Sequence, residues 1–116
     1  MRKFPLLLGA LILLAAHSAA ADGFLSAVED LPLAPGLTEI ADSALSFDTP
    51  TGRIVEGAAR GAVEAAQVLK FYGATLPQLG WTRESDSRFR REHEVLKLES
   101  AGDARMLTVR FTISPE

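Results

Sequence analysis

The chain has 116 residues, 12 basic against 15 acidic side chains, two histidines and no cysteine, with a formal net charge of −3. That length supports one small domain, and without cysteine there is no disulfide, thiol redox chemistry, cysteine acylation or covalent c-type haem. An acidic chain with no basic stripe argues against nucleic-acid binding and against electrostatic attachment to anionic lipid.

The chain opens "MRKFPLLLGALILLAAHSAAAD". Arg2 and Lys3 form a basic start, residues 6–16 are apolar, and Ala19 and Ala21 sit at the small-residue positions ahead of a cut before Asp22. This is the layout of a secretory signal peptide. The apolar run is short for a membrane span, which needs about 20 residues. The expectation is a cleaved leader over 1–21 and a periplasmic or secreted product with no stable membrane anchor. His17 falls in the leader and is set aside.

Residues 22–42 combine Pro32, Pro35 and Gly36, which break a helix, with Phe24, Leu25, Val28, Leu31, Leu33, Leu37 and Ile40. The segment is too apolar for a free tail. It reads as an arm that packs along the domain, with a short helical turn near residues 26–30. An arm covering its own core is favoured over a docking peptide for a partner.

The domain proper runs over 43–116. In "SALSFDTPTGRIVEGAARG", Leu45 and Phe47 alternate with polar residues, "DTPTG" is dense in turn formers, and Ile54 and Val55 open a second strand. Gly57, Ala58, Ala59 and Gly61 thin that strand, as a close backbone approach would require. "TPTGR" lacks the spacing of a phosphate loop.

In "AVEAAQVLKFYGATL", Ala65, Val68, Leu69, Tyr72 and Leu76 form one helical stripe, widened by Phe71. Gly61 is a tolerated N-cap, and Glu64 near the start suits the helix dipole. Pro77 ends the regular helix near Leu76. A tight "PQLG" turn follows, with Gly80 left-handed and Trp81 folded back over it. Tyr72 and Trp81 read as core rings more readily than as an aromatic ligand platform.

The remainder predicts a three-strand meander. "TRESDSRFRRE" is polar with Phe89 inward, "HEVLKLES" alternates through Leu96 and Leu98, "AGD" turns, and Leu107, Val109, Phe111 and Ile113 share one face of the last strand. The order β-β-α-β-β-β makes an α+β two-layer domain, an antiparallel sheet with one helix packed on one face. The opposite face is left open to solvent, carrying Arg105, Thr108, Arg110, Thr112, Lys97 and Glu99.

Chemistry is sparse. His93, between Glu92 and Glu94, is the sole histidine after the leader, too few for a metal site. There is no G-x-S-x-G elbow, and nothing places Ser85, Ser87 or Ser100 beside His93. Glu84 and Asp86 form a carboxylate pair with no cleft for a sugar. The expectation is no enzyme, metal or cofactor. Arg88, Arg90 and Arg91 form the densest basic cluster, either a contact for an acidic partner or a charged edge that blunts strand pairing.

The leader, "FDTPTGRIVE" and a helix running into "FYGATLPQLGW" together resemble a group of small exported bacterial proteins without an assigned activity, over about residues 31–98. The motif is of the type FY-x3-LPQLGW. The resemblance implies a shared fold and export, and no catalytic role. The leading expectation is a soluble, non-catalytic periplasmic domain that binds a protein or cell-envelope partner through its open sheet face or a strand edge. Candidate contacts are Arg88, Arg90 and Arg91. The alternative is a carrier or sensor of a small apolar ligand held between helix and sheet, near Tyr72 and Trp81.

Overall fold

The structure, a computed structural model, describes residues 23–116; the expected leader lies outside them. Two short β-strands, β1 (Thr38–Glu39) and β2 (Leu45–Thr49), precede the long β3 (Gly52–Gly61). The helix α1 (Ala65–Thr75) runs into a 3-10 helix (Leu76–Leu79). Four strands complete the chain: β4 (Thr82–Ser85), β5 (Arg88–Arg91), β6 (Glu94–Asp103) and β7 (Met106–Pro115). All pairings are antiparallel, in the order β1-β3-β7-β6-β5-β4, with β2 also on β3.

The two-layer α+β architecture and the element order are as expected, but the sheet has seven strands where five were read. One extra strand comes from the arm, whose Thr38 and Glu39 pair with Arg60 and Ala59. The other comes from "TRESDSRFRRE", which folds on itself as the β4–β5 hairpin. That stretch holds no Gly or Pro to mark its turn, and the register slips between Arg83 and Ser85. Both features hide a hairpin from pattern reading. The expected "AGD" turn lies in β6, which runs through Asp103; the chain reverses at Ala104 and Arg105. Arg105 is therefore a turn residue rather than a member of the open face.

One face of the sheet is buried by Val55 and Ala59 of β3, Leu107, Val109, Phe111 and Ile113 of β7, Leu96 and Leu98 of β6, and Phe89 of β5. Against it stand Val68 and Tyr72 of α1, followed by Leu76 and Trp81. The arm supplies Leu25, Val28, Leu31, Leu33, Ala34 and Leu37, all buried in the same core. Each large aliphatic side chain so buried contributes about 1.5–3 kcal/mol. The arm is thus a third piece of the inner layer. Its expected helical turn is a run of reversals, held by Val28 N–H to Leu25 O and Leu31 N–H to Val28 O, both at 3.0 Å.

The thin part of β3 is explained by this arm. A Cβ at Gly57 would stand 3.0 Å from a Leu25 methyl, and one at Gly61 would collide with the Gly36 carbonyl. Gly61 accordingly ends the strand, which overturns its expected role as the helix N-cap. The N-cap is Glu64, extended at φ −82° and ψ 140°, with no side-chain capping bond. The far end of the helix follows the sequence closely. Gly80 is left-handed at φ 95°, and Trp81 N–H returns to Leu76 O at 3.1 Å.

Candidate functional site

The register defines the outer face. Val55 and Ile113 pair and are buried inward, so their neighbours Ile54, Glu56, Thr112 and Arg110 point outward. On β6 the outward set is Val95, Lys97 and Glu99, and on β5 it is Arg88 and Arg90. Thr108, Arg110, Thr112, Lys97 and Glu99 therefore lie where alternation puts them.

The arginine cluster is divided between the two faces. Arg88 and Arg90 share the carboxylate of Glu84, their Nε atoms donating at 2.9 and 2.7 Å, and Arg90 also pairs with Glu116. The hydrogen bonds from Arg90 and then Arg88 hold the Glu84 carboxyl below its ordinary range. Arg91 lies opposite Glu94 in the β5–β6 ladder and points to the inner side. Its guanidinium lies 4.2 Å over the Trp81 ring and donates to Asp30 at 2.8 Å and to Leu79 O at 3.0 Å. Arg91 thus ties together the arm, the helix end and β5, while the charges of Arg88 and Arg90 are balanced within the sheet.

Tyr72 and Trp81 are 0% and 3% exposed. The Tyr72 hydroxyl donates to Pro32 O at 2.8 Å and accepts Ala34 N–H at 3.0 Å. Its ring meets Phe111 edge-on at 5.5 Å and Phe71 at 5.0 Å. The space beside these rings that a carrier would leave to a ligand holds arm side chains. A half-open groove of about 370 Å3 does lie between arm and helix, lined by Ala34, Pro35, Val63, Gln67, Lys70 and Phe71, and neither Tyr72 nor Trp81 faces it.

His93 and Glu92 occupy the exposed β5–β6 turn, and Glu94 is engaged by Arg53 at 2.7 Å. Asp86, in the β4–β5 turn, is paired with Arg83 of β4 and does not join Glu84. Among the described residues no three His, Cys, Asp or Glu side chains converge as a metal site.

Sequence alternation finds β2 as a hairpin strand but not the exposure of its apolar side chains at a sheet edge. Leu45 and Phe47 are 50% and 47% exposed and share the outer face with Ile54, which lies directly opposite Phe47. β7 occupies one side of β3, so β1 and β2 lie along the other, and β2 forms the sheet edge there. The expected turn is a two-residue reversal at Pro50 and Thr51, which pairs Thr49 with Gly52 and Phe47 with Ile54.

The two edges differ. β4, on the far side, carries Arg83 and Glu84 in four residues and a register slip, the usual protection against stray pairing. β2 carries one charge, Asp48, and an unbroken five-residue register. Fold and site together define a small α+β domain whose outer face carries the ion pairs of Arg88 and Arg90 and whose β2 edge is largely apolar. Comparisons with protein-family models, curated proteins and solved structures find no match.

Proposed function

We propose that this chain is an exported, non-catalytic interaction domain that engages a protein partner of the cell envelope through the β2 edge and the adjoining outer face. The observation that carries the reading is the exposure of Leu45 and Phe47 on an edge strand whose single charge is Asp48. A strand laid beside β2 would gain backbone hydrogen bonds and cover both side chains. The leader composition supports export. No helix among the described residues is long and apolar enough to cross a membrane. The carboxylates that a hydrolytic reading would use are tied to arginines, which supports binding over catalysis.

The test is a photo-crosslinking residue placed at Phe47 in intact cells, beside a control at Gln78, exposed after the helix. A discrete adduct from position 47, absent from position 78, is expected. Equal or no capture at both positions refutes the reading.

A further inference from the structure

We infer that the strand received by the β2 edge is β2 of a second copy of this chain, antiparallel about a two-fold axis through Phe47. The inference rests on the β2-edge reading above and names its occupant.

Backbone direction limits the choices. Ala58 O accepts Ile40 N–H at 2.8 Å and Ala58 N–H donates to Ser43 Oγ at 3.1 Å, so Ala58 turns its polar groups toward the β1–β2 side. Alternation along β3 gives Gly52, Ile54 and Glu56 the same direction. Their partners Thr49, Phe47 and Leu45 are then hydrogen-bonded inward. Ser46 and Asp48 direct their N–H and C=O groups out of the sheet.

A symmetric pair must match outward residues with outward residues, so its axis passes through Ser46, Phe47 or Asp48. Through Asp48 it opposes two like charges, which is destabilising. Through Ser46 it leaves Asp48 and Thr49 beyond the partner strand. Through Phe47 all five residues of β2 are used. Ser46 meets the partner's Asp48, so a hydroxyl faces each carboxylate. The two Phe47 rings meet at a non-hydrogen-bonded position, where side chains approach most closely. Leu45, Phe47 and Ile54 of both copies then form one apolar strip across the junction. The strand is self-complementary in polarity and backbone direction at this single register, and the two Asp48 carboxylates are kept apart.

The test uses protein expressed from the full sequence, with sedimentation equilibrium over a wide concentration series. A monomer–dimer equilibrium is expected. Ser46→Pro removes an outward N–H without touching the β2–β3 ladder, and should weaken the dimer at least about tenfold. Retained Trp81 emission and circular dichroism will show that this variant folds. The chain has no cysteine, so single cysteines report the register. Phe47→Cys alone should form a disulfide-linked dimer under mild oxidation. Leu45→Cys and Thr49→Cys should link efficiently only when mixed. A chain that stays monomeric at all concentrations, a dimer indifferent to Ser46→Pro, or preferential self-linking of Leu45→Cys each overturns the inference. A monomeric chain whose position 47 captures a different protein overturns it while leaving the β2-edge reading standing.

Discussion

The hydroxyl of Tyr72 donates a hydrogen bond of 2.8 Å to the carbonyl of Pro32, joining the middle of the helix to the N-terminal arm. It also accepts the Ala34 N–H at 3.0 Å. The arm's two prolines deprive it of a helical ladder of its own, so its backbone groups need partners from elsewhere. One phenol supplies a donor and an acceptor together. Tyr72→Phe keeps the buried ring but strands a carbonyl and an N–H. The expected loss is about 1–3 kcal/mol, measured by urea unfolding, with amide exchange at Ala34 accelerating first.

The same phenol makes the fold sensitive to alkali. Burial pushes the Tyr72 pKa upward, partly opposed by the Ala34 N–H. A raised pKa means the folded protein holds the proton more tightly than the unfolded chain. This contribution is fully present below the ordinary tyrosine value of about 10, and is lost as pH rises through the folded value. Tyr72 is the single tyrosine, so the ultraviolet tyrosinate band should appear together with unfolding rather than before it. Tyr72→Phe should be less stable at neutral pH and show a flatter alkaline slope.

The glycines under the arm should differ in tolerance. At Gly57 a new methyl meets the flexible end of Leu25, whereas at Gly61 it meets the Gly36 backbone. Gly57→Ala should cost about 1–3 kcal/mol, as overpacking does. Gly61→Ala should cost more, because backbone cannot swing aside. Thermal unfolding of the two variants checks the order; equal losses would contradict the packing described.

Arg91 should act as a structural clamp. Arg91→Ala removes the cation over Trp81, worth about 0.5–2 kcal/mol, together with the contacts to Asp30 and Leu79 O. Because Trp81 is the single tryptophan, its emission should shift to the red and become easier to quench. Arg91→Lys should recover little, since an ammonium cannot stack and reach both oxygens. Arg88→Ala should leave the emission unchanged.

Acid should loosen the β4–β5 hairpin. The Glu84 carboxyl is held below its ordinary value by Arg90 and then Arg88. Its contribution is present above the usual glutamate range, about 4.3, and fades as pH falls through the lower folded value. Amide exchange in β4, corrected for intrinsic rates, should rise over that window in the native chain. In Glu84→Gln it should be raised already at neutral pH and show little further dependence.

Much of the fold was legible because it rests on local rules. The stripe through Val68, Tyr72 and Leu76 needs one helical face, and Pro77 with Gly80 can only end it. Leu107, Val109, Phe111 and Ile113 announce their shared face by alternation. The β4–β5 hairpin was not legible, because its turn uses Asp86 and Ser87 and its register slips. The arginine cluster was visible as composition, but a strand turns consecutive residues to opposite faces, which sent Arg91 inward and Arg90 outward.

What the sequence by itself determined is the class of fold: a cysteine-free α+β domain whose helix end and strand periodicity follow from residue chemistry. Alternation shows that Leu45 and Phe47 share a face, but says nothing about which layer covers it. Only the tertiary structure decided that the arm fills the inner layer around Tyr72 and leaves β2 facing outward at an open edge. Burial and edge position are properties of packing between segments distant in sequence, and no local pattern encodes which of two equivalent faces another segment will cover.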